Sequence, residues 1–273
     1  NKGFEVSIGN DGKVGDDFRY HINGNISTYK NKIKDLGSEA NIPGKGVHLG
    51  YYTYTMTEAG KPIGYYHGYK TDGVFQTQEE IDNYQNKGKV VMPNAKPGDL
   101  KFVDLNKDGK LDDEDRTMIG NPHPDFTYGL TLSGEYKGFD ISAFFQGSVG
   151  NDLLNIVKYD IYGGVGWYNA PKDILTTFWN GPGSTNKNFA IDADSRLNRE
   201  MSDWYVENGS YLRLKNLTIG YTIPSSITRK ITLSNLRVFV AAQNLFTITG
   251  YSGLDPEIGE FNQNPIYKGI DMG

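Results

Sequence analysis

Residues 126–147 read FTYGLTLSGEYKGFDISAFFQG, and this stretch decides the fold. In its first half the even positions, from Phe126 to Tyr136, carry aromatic or aliphatic residues and one glycine, while the odd positions carry Thr, Gly, Ser and Glu. After Lys137-Gly138 the apolar residues recur at every second position from Phe139. Alternation with a period of two is typical of a strand with one apolar and one polar face. The Lys-Gly pair between two such runs predicts a tight hairpin.

Similar alternation recurs in residues 18–27, 217–223 and 236–243, the last less regularly. These runs are about as long as the 9–11 residues that a tilted strand needs to cross a bilayer. The links between the strands alternate in length. The links predicted to be short contain Asn10-Asp11-Gly12, Lys137-Gly138 and Pro224–Ser234, and the long ones cover residues 33–124, 150–209 and 248 onward.

Short periplasmic turns that alternate with long extracellular loops are the pattern of outer-membrane barrels. The sequence therefore predicts an all-β fold, a transmembrane antiparallel β-barrel with long extracellular loops. If the short links are periplasmic, the strand near Leu236 runs outward, so we expect a final inward strand beyond it. In the long loops, a capping box at Thr77 predicts one short helix and Pro171 begins another.

Composition excludes several functions. The net charge of −5 and the absence of a basic run argue against nucleic acid as a partner. Cysteine is absent, which excludes disulfides and thiolate metal sites. We find no nucleophile motif and no phosphate-binding loop, so the sequence predicts that this chain is not an enzyme.

Residues 104–115 read DLNKDGKLDDED and have the spacing of an EF-hand-type calcium loop. Gly109 occupies the position of the sharp turn. An Asp closes the loop where an EF-hand has Glu, and its shorter side chain weakens the site. The alternative is a solvated acidic turn. We expect a structural Ca²⁺ with six ligand residues: Asp104, Asn106, Asp108, Lys110 through its carbonyl, Asp112 and Asp115.

The long loops are rich in aromatic side chains that could stack on sugar rings. The alternative, which we favour for any single residue, is packing within the loops or a girdle at the membrane interface. The candidates are Tyr51, Tyr52, Tyr54, Tyr65, Tyr66, Tyr69, Trp167, Tyr168, Trp179 and Trp204.

Several longer motifs resemble the SusC/RagA-like TonB-dependent outer-membrane transporters, and together they cover nearly all of the chain. They are GYYHGYKTDGVFQTQEEI (64–81), GDLKFVD (98–104) followed by the acidic loop, DRTMIGNP (115–122), PDFTYG (124–129), FDISAFFQG (139–147), YLRLKNLTIGY (211–221) and AQNLF (242–246).

The resemblance implies that residues 1–273 are the C-terminal portion of a plugged barrel of roughly 22 strands, without the plug domain and the final strand. Residues 32–124 would be a long extracellular loop region that contains the calcium-type loop. The implied location is the bacterial outer membrane, in contact with lipid and with the remainder of the same barrel.

The implied function is TonB-dependent import of an oligomeric nutrient, with an oligosaccharide favoured over a peptide. The implied partners are a SusD-like surface lipoprotein and the TonB–ExbB–ExbD complex. The alternative is a soluble, calcium-stabilised glycan-binding or adhesive β-domain.

Overall fold

The computed structural model describes residues 1–44, 46–47, 52–162, 169, 171–191 and 197–257. In chain order its strands are β1 (Lys2–Val14), β2 (Phe18–Lys30), β3 (Asn41–Pro43), β4 (Gly46–Val47), β5 (Tyr52–Thr53), β6 (Thr55–Glu58), β7 (Tyr65–Gly68), β8 (Thr71–Val74), β9 (Gln85–Asn86), β10 (Lys89–Val90), β11 (Leu100–Phe102), β12 (Thr117–Gly120), β13 (Phe126–Tyr136), β14 (Phe139–Val149), β15 (Asp152–Leu154), β16 (Val206–Asn208), β17 (Tyr211–Thr222) and β18 (Arg237–Thr249). The helices are α1 (Gln78–Asn83), α2 (Ile156–Tyr162), α3 (Ile174–Thr177) and α4 (Ser225–Thr228), with 3₁₀ turns at Asp113–Asp115, Leu197–Arg199, Asp203–Tyr205 and Arg229–Ile231.

The six long strands form one antiparallel sheet in the order β1-β2-β13-β14-β17-β18, which follows the chain. Short links join β1 to β2, β13 to β14 and β17 to β18, and long links join β2 to β13 and β14 to β17. The alternation of short and long links is therefore confirmed. The β17–β18 link contains the short helix α4.

One hairpin prediction is wrong. Asn10-Asp11-Gly12 does not turn, because β1 and β2 stay paired from Lys2↔Lys30 to Val14↔Phe18, and the chain reverses only after Val14. A Cβ at Gly12 would lie 2.3 Å from the Tyr20 ring, so a larger residue there would require that ring to move. The turn at Lys137-Gly138 is confirmed, with φ values of 49° and 88° in the left-handed region that tight hairpins use.

The register of the sheet separates two faces. One row across all six strands is apolar: Val6, Ile26, Tyr128, Gly147, Leu212 and Ile248. The next row is largely polar: Ser7, Asn25, Gly129, Gln146, Arg213 and Thr247. Large side chains of the apolar face lie open, with Ile8 72% and Val240 70% exposed. An exposed apolar band of this kind is suited to lipid and not to water.

A β-bulge interrupts the sheet near one end. Phe144 pairs with Asn216 and Phe145 with Leu214, so Lys215 has no partner on β14. The β17–β18 register shifts at the same place. A bulge bends and twists a strand, and here it lets Leu214 and Leu217, three residues apart, both pair with residues of the apolar face.

The two long links pack together into a loop region with its own core. The predicted helix at Thr77 is confirmed as α1, whose first turn is capped by the Thr77 hydroxyl, and a short α3 follows Pro171. The first buried cluster contains Tyr69, Val74, Phe75, Ile81, Val91, Met92, Ala95, Leu100, Phe102, Phe178 and Phe189. The second contains Tyr54, Tyr66, Leu154, Tyr159, Met201 and Tyr205. Both clusters combine side chains from both links.

Ile63 joins the two ends of the first long link. Its N–H donates to Asn31 Oδ1 at 2.8 Å, directly after β2, and its carbonyl accepts from His123 Nε2 at 2.9 Å, shortly before β13. The second bond requires that Nε2 carries the proton. The Tyr29 and His123 rings also meet edge to face, with centroids 6.3 Å apart.

Candidate functional site

The calcium-type loop is built around two buried carboxylates. Asp104 is 3% exposed and Asp115 is fully buried. Asp104 accepts hydrogen bonds from Gly109 N–H at 2.9 Å and from the Asn86 amide at 2.8 Å. Burial alone would raise the pKa of Asp104, but these hydrogen bonds outweigh burial and hold that pKa below its usual range.

Asp115 closes the loop from the other end. Its two oxygens accept from Leu105 N–H at 2.8 Å and from Asp112 N–H at 3.0 Å. Asp112 in turn caps the 3₁₀ turn Asp113–Asp115 by accepting from Glu114 N–H at 2.9 Å. Backbone N–H groups of the loop therefore hold the carboxylates at the first, ninth and twelfth positions, which are Asp104, Asp112 and Asp115.

The remaining predicted ligands lie on the more open side of the loop. Asn106 Oδ1 accepts from Asp108 N–H at 2.9 Å, and Asp108 Oδ1 accepts from Lys110 N–H at 3.1 Å. The Lys110 ammonium bridges the Asp108 and Asp112 carboxylates. Within the described parts of the chain, no three His, Asp or Glu side chains converge as a metal-binding group. The cation that pairs with Asp108 and Asp112 in this structure is the Lys110 ammonium.

Gly109 supplies the sharp turn expected at the sixth position, with φ of 87°. A Cβ there would lie 2.4 Å from the Asn86 carbonyl oxygen, so the loop sits tightly on the β9–β10 hairpin. The Tyr84 hydroxyl fastens the loop from below, donating to the Phe102 carbonyl at 2.8 Å and accepting from Asp104 N–H at 3.1 Å. These contacts require glycine and tyrosine at these two positions.

Arg116, next to the loop, connects the two long links. Its guanidinium donates to Asp113 at 2.9 Å and to Glu200 at 2.8 Å, and it lies over the Tyr69 ring at 4.4 Å. Arg116 also lines a cleft of about 420 Å³ together with His67. Burial and the neighbouring Arg116 lower the pKa of His67.

Most of the described loop aromatics pack inside the loop region, as the alternative to sugar stacking predicts. Tyr54, Tyr65, Tyr66 and Tyr69 are each at most 5% exposed. Two tryptophans are partly buried against the clusters and donate indole N–H groups within the loop region, Trp179 to Gln76 and Trp204 to the Lys187 carbonyl. Tyr51, Trp167, Tyr168 and the Tyr52 side chain lie outside what the structure describes.

A charged cluster on the polar face of the sheet was not predicted from the sequence. Arg213 and Lys215 on β17 meet two carboxylates that follow β18, Asp255 and Glu257. Arg213 is only 4% exposed beneath them. The available signal was an Arg-x-Lys pair in a strand that otherwise places neutral residues on its polar face.

Among the residues that the structure describes, none of the helices has the length and apolar character needed to cross a bilayer.

No family model matches the chain. Its sequence is 35% identical over 275 residues to TonB-dependent receptor P3 of Formosa agariphila, an alignment that covers all of this chain and 26% of that receptor. It is 30% identical over 261 residues to TonB-dependent receptor SusC of Bacteroides thetaiotaomicron, covering 94% of this chain and 24% of SusC. The chain is homologous to a segment of the TonB-dependent receptors.

Solved structures support the same fold for this receptor segment. It superposes on the RagAB peptide importer in its open-open state with a TM-score of 0.70 at 22% identity, covering 94% of this chain and 26% of that one. The RagAB peptide transporter gives 0.71. The receptor segment thus forms part of the wall of an outer-membrane β-barrel and spans about a quarter of the length of its relatives. These relatives are receptors and importers rather than enzymes.

Proposed function

We propose that the receptor segment forms part of the wall of a TonB-dependent importer that carries an oligomeric nutrient across the outer membrane. The two-faced sheet is the observation that carries this proposal: the apolar face suits lipid and the polar face suits a hydrated path. A soluble calcium-stabilised β-domain would have to cover that apolar face with further protein. The proposal includes a SusD-like surface lipoprotein above the loops and energy supplied by TonB–ExbB–ExbD.

We propose an oligosaccharide rather than a peptide as the cargo. Between the charged ends of the strands, the polar face presents mainly hydroxyl and amide groups, which suit a neutral polyhydroxylated chain. These residues are Asn23, Asn25, Ser27, Thr127, Thr131, Ser133, Ser142, Gln146, Thr218 and Gln243.

Uptake by cells tests both proposals. Deletion of the full-length gene should abolish uptake of fluorescent oligosaccharides, and collapse of the proton gradient should have the same effect in the parent strain. Recovery of the full-length protein in the aqueous fraction, and not with outer membranes, would refute the importer. Uptake of labelled peptides in place of oligosaccharides would overturn only the cargo.

We also propose that the loop at 104–115 binds Ca²⁺. All of its donors are oxygens, which is the set that this hard cation prefers. Asp104 and Asp115 are already buried and turned into the loop, so an ion would have to displace the Lys110 ammonium from Asp108 and Asp112. When bound, Ca²⁺ would fix a long extracellular loop, and it has no part in chemistry.

Limited proteolysis tests the calcium site in the full-length receptor. Ca²⁺ should protect residues 100–120 from cleavage, and Asp104→Ala with Asp108→Ala should remove that protection. Asp113→Asn is the control, because Asp113 lies in the same loop, is exposed and occupies no ligand position, and the amide oxygen can still accept from Arg116. Equal protection of the double variant and the control would refute the site.

A further inference from the structure

Arg213 is the most deeply buried cation on the polar face of the sheet. Its Nε donates to Thr247 Oγ1 at 2.8 Å, and its two Nη atoms reach Asp255 and Glu257, with the contact to Asp255 at 2.5 Å. Within the described chain, these two carboxylates are the only ones that pair with Arg213. Both come from the short segment that follows β18.

Glu257 sits in a ring of donors from two strands. Its carboxylate accepts from Arg213, from the Lys215 ammonium at 2.9 and 3.0 Å, and from the Gln146 amide at 3.4 Å. Gln146 and Arg213 are paired across β14 and β17, and Lys215 is the unpaired residue of the bulge. The bulge thereby lets a second cation reach the same carboxylate as Arg213.

The donors belong to the sheet, whereas the acceptors belong to the segment that follows β18. Segment 250–257 is anchored near its start, where Tyr251 is buried and Ser252 bonds to Glu207 at 2.8 and 2.9 Å, whereas Asp255 and Glu257 reach the sheet through the charged cluster. If the two carboxylates leave, Arg213 and Lys215 remain side by side without a counter-charge. Two adjacent cations without a counter-charge repel each other and attract a carboxylate, so another anion would take their place.

We propose that Arg213, Lys215 and Gln146 form a carboxylate-binding subsite on the import path, and that Asp255 and Glu257 occupy it as an internal competitor until a carboxylate-bearing cargo displaces them. A guanidinium fork binds a carboxylate through two parallel N–H bonds, which makes it selective for this group. The inference rests on the proposed import function and adds acidic oligomers, such as uronate-containing saccharides, to its cargo.

Equilibrium binding to the purified full-length receptor in detergent tests the subsite. Asp255→Asn with Glu257→Gln removes the competing charges but keeps the shapes of the side chains. The affinity for trigalacturonate or triglutamate should rise by at least about tenfold, as expected when a site that is closed nine-tenths of the time becomes open. Adding Arg213→Gln to this variant should abolish the gain.

The matched controls are a second pair of carboxylates and two neutral probes. Asp16→Asn with Asp17→Asn removes the same charge from the short turn at the opposite end of the sheet, and it should leave every affinity unchanged. Maltotriose and triglutamine should bind the competitor-free variant no more tightly than the parent. An equal gain for a neutral probe would mean that the segment merely blocks the lumen, and this would overturn the proposal.

The two acidic probes also separate the sources of the carboxylate. A gain with trigalacturonate alone indicates an acidic glycan, a gain with triglutamate alone an acidic peptide, and a gain with both a subsite that recognises the carboxylate itself. No gain with either refutes the subsite. If the double variant loses the heat-resistant barrel band on gels, Glu257→Gln alone should give a smaller gain in the same direction, and no gain there is equally a refutation.

Failure of the import proposal can be told apart from failure of the subsite, because binding in detergent needs neither TonB nor a membrane potential. Absence of the expected gain in affinity, together with normal uptake by cells, counts against the subsite alone. Normal binding without uptake counts against import.

Discussion

The sheet and the loop region place their large apolar side chains in opposite ways. In the sheet, apolar side chains such as Ile8 point outward and stay open, whereas in the loop region Phe75 and Phe102 are fully buried. The sheet has long strands that pair along nearly their whole length, with a bulge in β17, and the loop region has strands of two to four residues around two apolar clusters rich in aromatic residues. The apolar face of the sheet is suited to contact with the bilayer, whereas the loop region buries its apolar side chains in a core of its own.

This contrast also separates what stabilises each region. Strands in lipid must satisfy every backbone N–H and C=O through neighbouring strands, because the bilayer offers no alternative donors or acceptors. Short strands in water cannot gain enough from such ladders alone, so burial of aromatic side chains dominates in the loops.

The largest expected effect is loss of a core aromatic from the loop region. Phe75→Ala should destabilise that region by about 3–5 kcal/mol, because it removes a fully buried ring and leaves a cavity. Rates of limited proteolysis in the loops of the full-length receptor measure this. Phe4→Ala, the same change at a side chain that is 60% exposed on the sheet, should leave those rates unchanged. Equal rates for the two variants would erase the contrast between the regions.

A charge on the apolar face should have the next largest effect. Leu132→Arg places a guanidinium against lipid near the middle of β13, which costs about 2–4 kcal/mol in a bilayer. Thr131→Arg, one residue away on the polar face, should cost far less. Urea unfolding of the full-length receptor in lipid vesicles compares the two. A larger loss for Thr131→Arg would show that the two faces are assigned the wrong way round.

The smallest expected effect is a dependence of the stability of the loop region on pH, which the sheet should not share. Burial and Arg116 lower the pKa of His67 in the folded loop region, whereas an unfolded histidine titrates near about 6.5. Between these two values the unfolded state binds more protons, so the stability of the loop region should fall as pH drops below about 6.5.

The His67→Gln variant should show a weaker dependence of loop proteolysis on pH in that window. Unfolding of the sheet should show no change in its pH dependence, since His67 makes its contacts within the loop region. An unaltered acid response of His67→Gln would assign that response to other groups.

The sheet could be predicted from the sequence because its information is local. Alternation in residues 126–147 determines both faces of two strands, and Lys137-Gly138 determines the turn between them. The same kind of local signal was misleading at Asn10-Asp11-Gly12, where pairing with β2 over the full length of the strand outweighs a turn-forming triplet. Turn propensity is a weak preference compared with several ladder hydrogen bonds.

The loop region could be predicted only in pieces. The cap at Thr77 and the turn at Gly109 depend on neighbours within a few residues, and both are confirmed. In the loop region, Tyr205 packs beside Tyr159, which lies 46 positions away along the chain. On the polar face of the sheet, Arg213 pairs with Glu257, which lies 44 positions away. No periodicity encodes such contacts. Whether the loop at 104–115 holds Ca²⁺ stays a prediction.

The bridge at Ile63 has a consequence for how such chains can vary. It divides the first long link into two loops, because Asn31 and His123 are held from the same residue, 32 and 60 positions away along the chain. Doubling the length of a flexible loop adds only about 0.6 kcal/mol of closure entropy. Insertions into exposed connections on either side of Ile63, outside the two buried clusters, should therefore cost little while its two hydrogen bonds persist. The loop region can thus be remodelled by evolution without any change in the order of the strands in the sheet.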